Sequence, residues 1–133
     1  MTLELHRLPA AGGGSYSDAV VIDNERVRWI HVAGQTPRAA RPDEVPNDLG
    51  GQAELCFAQI ESILARWGAG LKDVVQITVY LTSLEDYASF GSVRARLFGD
   101  QPPASAAVGV SSLLDEALIE IAAVAVTTSA KPW

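Results

Sequence analysis

Glu120 is the residue whose type and setting most invite chemistry. It stands in Leu118-Ile119-Glu120-Ile121-Ala122-Ala123, where every neighbour is apolar. A carboxylate in such a segment must be solvated, paired or kept neutral, because a bare buried charge is costly. Two readings follow. Glu120 is either a strand residue turned to solvent at a sheet edge, the usual place for glutamate, or a general acid/base set in an apolar cleft.

The other reactive side chains point less far. Gly12-Gly13-Gly14-Ser15 has no lysine at the spacing of a phosphate loop and reads as a flexible turn. His6 and His31 fall on separate strands without a third ligand at metal spacing, so no metal site is expected. Cys56, the single cysteine, excludes an internal disulfide and sits on the apolar stripe of a helix, where an inert thiol is the rule. Ser105, in Ala104-Ser105-Ala106-Ala107, lacks the glycine-flanked elbow and the nearby base of a nucleophilic serine.

The elements that must position these residues follow from periodicity. Ala19 to Asp23 and Val27 to Ala33 read as a hairpin turned by Asp23-Asn24-Glu25. Gly34 to Gly51, with Pro37, Pro42 and Pro46, reads as a long surface loop. From Gln52 to Trp67, Cys56, Phe57, Ile60, Ile63, Leu64 and Trp67 recur at helical spacing. Val75, Ile77, Val79 and Leu81 alternate as in a strand. Ser83 and Asp86 form a capping box for a second helix that presents Tyr87, Phe90, Val93 and Leu97. Two further strands, Ala104 to Val110 and Leu118 to Val126, flank the polar connection Ser111 to Ala117. The last strand is apolar on both parities, so it is either central in its sheet or covered by a partner.

The order β-β-α-β-α-β-β predicts an α+β, two-layer sandwich with both helices on one face of a mixed sheet. Apolar side chains then point from the opposite face with no element left to cover them. Another copy of the chain is the simplest cover, which predicts a homo-oligomer with pockets between subunits.

Composition bounds the rest. With 133 residues and 48% hydrophobic content, one domain spanning residues 1–133 is expected. Ten Lys and Arg against 16 Asp and Glu give a net charge of −6, which disfavours a nucleic-acid partner. Glu4, His6 and Arg7 interrupt the N-terminal segment as no signal peptide does, and no apolar run approaches the ~20 residues of a membrane span, so a cytoplasmic location is expected.

Along almost its whole length the chain resembles the RidA (YjgF) family of small homotrimeric proteins. Gly14 to Val20, Ala33-Gly34-Gln35-Thr36-Pro37, Gln52 to Gly70, Asp73 to Leu84 and above all Pro103 to Ala125 carry the likeness. The resemblance implies a chorismate-mutase-like fold, three inter-subunit clefts, no cofactor, and hydrolysis of reactive imines and enamines with release of ammonia. It implies Glu120 as the catalytic carboxylate and Tyr16, Ala33, Gly34, Gly91, Ser105 and Ala107 as the substrate-binding positions. Ser105 matches the arginine that holds the substrate carboxylate in well-studied members, and Ala33, Gly91 and Ala107 match serine, asparagine and cysteine. A cleft so depleted of polar groups is expected to take a small neutral molecule rather than an α-imino acid, unless Arg94 or Arg96 reaches it from the second helix. The alternative is a non-catalytic trimer, a small-ligand binder or chaperone-like protein, whose ligand is recovered chemically intact.

Overall fold

The structure, a computed structural model, describes residues 2–129. Strands β1 (Glu4–Pro9), β2 (Ser17–Asp23) and β3 (Val27–Gln35) run as an antiparallel meander. The β2–β3 turn is held by Asn24, whose Oδ1 accepts from the backbone N–H of Arg26 and of Val27, each at 2.7 Å. Helix α1 (Leu49–Ala65), strand β4 (Val74–Leu81), helix α2 (Tyr87–Phe98), strand β5 (Ala104–Gly109) and strand β6 (Ile119–Thr128) follow. The six strands form one sheet in the order β1-β2-β3-β6-β4-β5. The β4–β5 pair is parallel and joined through α2, and the other pairs are antiparallel.

This is the α+β sandwich expected from the order of elements and the chorismate-mutase-like fold that the resemblance implies, with β6 central, one of the two places its apolar parities allow. Odd-numbered β6 residues Ile119, Ile121, Ala123 and Ala125 are buried. They join Ile30 and Val32 of β3 and Ile77, Val79 and Leu81 of β4 in one core with Ala53, Cys56, Phe57, Ile60 and Leu64 of α1. Phe57 knits the two helices together, its ring stacked 6.3 Å from Phe90 and edge-on 5.5 Å from Phe98. The even-numbered residues of β6, Glu120, Ala122, Val124 and Val126, are only half-buried on the other face. Across the sheet they line up with His31 and Trp29 of β3 and with Gln76, Thr78 and Tyr80 of β4.

Several boundaries differ from the sequence reading. Strand β1 is additional: its Glu4 and Arg7 break the apolar pattern, as suits the exposed edge strand it proves to be. Helix α1 begins at Leu49 rather than Gln52, taking in Gly50 and Gly51 despite their poor helix propensity, because Asp48 caps it by accepting from Gly51 N–H at 2.9 Å. It ends at Ala65, while Trp67 stays buried beyond its end. With β3 running on to Gln35, the predicted loop contracts to residues 36–48, and Pro42–Glu44 form a 3-10 turn within it. The Ser83–Asp86 capping box does not form: Ser83 Oγ accepts from Glu85 N–H at 3.2 Å, and Asp86 precedes α2 without a side-chain cap bond.

The Asp48 cap is expected to matter locally. Asp48→Ala should cost about 1 kcal/mol, seen as a fall of roughly 4 °C in Tm, and Asp48→Asn should recover most of it. An unchanged Tm in Asp48→Ala would show that the glycine-bearing first turn is held by packing of Leu49 alone.

Candidate functional site

The β3–β6 ladder carries one irregularity, and it lies at Glu120. Val32 pairs with Ala123, yet Gln35 pairs with Ile121, so β3 has an extra residue between them, a β-bulge at Ala33-Gly34. The bulge shifts the parity of the strand. Gln35, which simple alternation from His31 and Ala33 would turn to the open face, is instead 1% exposed and packed on the helix side.

Buried polar bonds then fix the segment in place. Gln35 Nε2 donates to the Ala33 carbonyl at 3.0 Å. Its Oε1 accepts from Arg38 Nη2 at 3.0 Å and from Gln59 Nε2 at 3.2 Å. Gln59 also donates to the Thr36 carbonyl at 2.9 Å, and its Oε1 accepts from Arg38 N–H at 2.7 Å. A buried amide so fully satisfied holds the backbone at Ala33-Gly34 rigidly.

Glu120 uses the space this segment leaves. Gly34 has no side chain, and a Cβ placed there would come 2.5 Å from Glu120 Oε2 and 2.9 Å from its Cδ. The carboxylate therefore lies directly over the Gly34 backbone. Half-buried, it makes no hydrogen bond or ion pair with the described residues. Its cross-strand neighbour on the same face is Tyr80. On α1, burial first and then the Glu120 charge push the Cys56 thiol up to about 12, while the Arg38 charge pulls the other way. A thiol so held stays protonated and inert at neutral pH, as its place on the helix stripe led us to expect.

The predicted site residues divide into two groups. Glu120, Ala33 and Gly34 are together on the bulge. Tyr16 is 57% exposed in the β1–β2 connection, with its ring against Gly14, at the same end of the sheet. Ser105, Ala107 and Gly91 are elsewhere. In the β4–β5 register Ser105 lies beside Ile77 and Ala107 beside Val79, residues of the helix face, whereas Glu120 lies beside Tyr80 on the opposite face. Strand β4 intervenes between β6 and β5. One chain therefore presents Glu120 and Ser105 on opposite sides of its sheet.

The second group holds a cation that Ser105 by itself does not reveal. Arg94 of α2 donates from Nη1 to Ser105 Oγ at 3.0 Å, and its guanidinium rests 5.0 Å from the centroid of Phe90 and 5.7 Å from that of Tyr87. The expectation of a neutral ligand rests on Ser105, Ala33, Gly91 and Ala107 together and excepts an arginine arriving from the second helix; Arg94 is the one that contacts Ser105. Arg96 does not reach the site, since it pairs with Glu54 of α1. Every residue of β5 is exposed, so this edge and its arginine are open to a partner or ligand.

No three His, Cys, Asp or Glu side chains cluster at metal-binding distance among the described residues, and no described helix is long and apolar enough to cross a membrane.

Comparison with known proteins covers most of the chain. The sequence model described as Endoribonuclease L-PSP matches residues 6–127. A RutC family protein of Pyrococcus abyssi is 41% identical over 113 residues, 84% of this chain and 86% of its own. TdcF of Escherichia coli, provisionally named a reactive intermediate deaminase, is 28% identical over 130 residues, 96% of this chain and 97% of its own. The crystal structure of RidA from an Antarctic Psychrobacter superimposes with a TM-score of 0.76 at 32% identity, covering 94% of this chain and 98% of that one.

Proposed function

The chain belongs to the RidA (YjgF) family, to which the Endoribonuclease L-PSP description also refers, and from that premise we propose that it is a deaminase that hydrolyses a small imine or its enamine tautomer. The observation that carries this reading is the Glu120 carboxylate, half-buried, laid over Gly34 and without an ion-pair partner among the described residues. The deaminase name attached to TdcF supports the reaction class.

In this mechanism an enamine first takes a proton on carbon to become the iminium. Glu120 accepts a proton from water as the water oxygen bonds to the iminium carbon, giving a carbinolamine. The proton held by Glu120 passes to the amine, the carbon–nitrogen bond breaks, and the hydroxyl collapses to a carbonyl as its proton is lost. Water and iminium are consumed, and ketone and ammonium are produced. The Ala33-Gly34 backbone, pinned through Gln35, gives the carboxylate a fixed floor for both transfers.

The division of the site between two faces supports a shared one. A second copy covering the open face around Glu120 could bring its own β5 edge, with Ser105, Ala107, Gly91 and Arg94, up to the first copy's carboxylate. The assembly expected is a homotrimer with three such clefts, and small molecules are its partners. RNA cleavage, which the family description names, has less support here, because a net charge of −6 repels a polyanion.

The test is ammonia release from freshly generated imines, one carrying an α-carboxylate and one neutral, with light scattering on the same preparation. Release well above the spontaneous rate from at least one imine, by a protein of trimer mass, is expected. Release no faster than in buffer for both, or a monomer at micromolar concentration, would count against the reading.

A further inference from the structure

We propose that the pocket between strand β1, the Asp18 end of β2 and the C-terminal half of helix α1 is a second ligand site, separate from the one around Glu120, and that it takes a small amino acid in its zwitterionic form. The inference stands apart from the deaminase reading.

Four observations carry it. The first is a bulge. Leu8 of β1 pairs with Ala19 and Pro9 pairs with Ser17, so Asp18 is an extra residue of β2 with no partner across the ladder. Its neighbour Ala19 is part of the core, and simple alternation would turn Asp18 to the open face; instead Asp18 is only 5% exposed. The bulge turns a carboxylate inward.

The second is the state of that carboxylate. Asp18 Oδ2 accepts from the backbone N–H of Ala11 at 2.9 Å, and Asp18 makes no other hydrogen bond and no ion pair among the described residues. A carboxylate offers about four acceptor sites, so a buried one with a single bond is left short of partners. Asp23, similarly buried on the same strand, is by contrast paired with Arg28 at 3.3 Å.

The third is the charge around it. Arg38 and Arg66 line the same pocket as Asp18, and neither has a carboxylate partner among the described residues. Arg38 is set in place by Gln35 Oε1, which accepts from its Nη2 at 3.0 Å, and by Gln59 Oε1, which accepts from its backbone N–H at 2.7 Å. Most of its guanidinium donors stay uncommitted. Both signs of charge thus face one space without neutralising each other. The fourth is size. The pocket measures about 340 Å³, near the lower end of small-molecule sites, and Leu8 and Ile63 give it an apolar wall.

Together these features disfavour simpler ligands. A lone anion would meet the Asp18 charge, and a lone cation would meet two arginines. An amino acid answers both, with its carboxylate on the arginines, its ammonium group on Asp18 and an aliphatic side chain against Leu8 and Ile63. Helix α1 forms one wall of the pocket, which therefore lies on the helix side of the sheet, whereas Glu120 is on the open face.

The test is calorimetric titration of the full chain with L-leucine, with isoamylamine, which is leucine without its carboxylate, and with isocaproate, which is leucine without its ammonium group. Leucine should bind at least about tenfold more tightly than either half, since each half lacks one charge-assisted contact. Asp18→Asn keeps an oxygen that can accept from Ala11, and Arg66→Gln changes an exposed side chain. Each should weaken leucine binding by about tenfold or more. Glu120→Gln should bind leucine as wild type does. The proposal is overturned by neither heat nor a rise in Tm with leucine at about 10 mM, by a half that binds as well as leucine, or by binding indifferent to both Asp18→Asn and Arg66→Gln. Binding lost in Glu120→Gln would place leucine on the open face and overturn it as well. Should the melting curve show that Asp18→Asn does not fold, Arg66→Gln decides.

Discussion

Glu120→Gln is expected to lower ammonia release by about 10²- to 10⁴-fold, the contribution typical of a positioned general acid/base. The substitution keeps the shape of the side chain, so it fits over Gly34 as the carboxylate does, and it removes the ability to take a proton from water. KM should change little if the substrate is held by the other half of the cleft. Stability should change by no more than about 0.5 kcal/mol, as at other half-exposed positions. This combination separates chemistry from folding. Turnover within twofold of wild type at an unchanged Tm would remove Glu120 from the mechanism and favour a binder whose ligand is recovered intact.

The layout of the fold was legible because burial is periodic. Ile119, Ile121, Ala123 and Ala125 on one parity of β6, and Cys56, Phe57, Ile60 and Leu64 along α1, state their faces directly in the sequence. Of strand β1, only the placing of His6 on a strand was legible. Its Glu4 and Arg7 are exposed and charged, and it is ordered through its backbone ladder with β2, from Glu4 against Asp23 to Leu8 against Ala19, which leaves little mark on side-chain pattern. The capping box failed for a related reason: Ser83 satisfied a nearer N–H, that of Glu85, leaving nothing for a helix that starts at Tyr87.

The site was legible in part. Glu120 was visible as a charge in an apolar strand. The bulge that brings Gly34 beneath it was not, because one inserted residue alters parity without altering composition. Its trace was Gln35, a polar residue that ends on the buried face, and Gln59 and Arg38 complete a network whose members are 24 residues or fewer apart in sequence but on different elements. Arg94 was visible only as one of two helix arginines. Which of them reaches Ser105 depends on how α2 crosses from β4 to β5, and the competing attraction of Glu54 for Arg96 depends on the packing of α2 against α1. Both are tertiary facts with no local signature.

The bulge also yields the sharpest separation of stability from activity. Gly34→Ala places a methyl where Glu120 now lies, 2.5 Å from Oε2 and 3.2 Å from Cγ. Contacts that short cannot persist, and what gives way is the end of a flexible, half-buried side chain rather than backbone. The backbone at Gly34 is not in the left-handed region, so alanine adds no dihedral strain. The protein should therefore stay folded, with stability altered by about 1 kcal/mol or less, while the carboxylate is displaced by roughly an ångström. A misplacement of that size is enough to cost about 100-fold in turnover. Full activity in Gly34→Ala would mean that Glu120 works from a different rotamer than the one over Gly34. A loss of folding instead would mean that the Gln35 network, not the carboxylate, absorbs the methyl, since that network is what fixes the Ala33-Gly34 backbone.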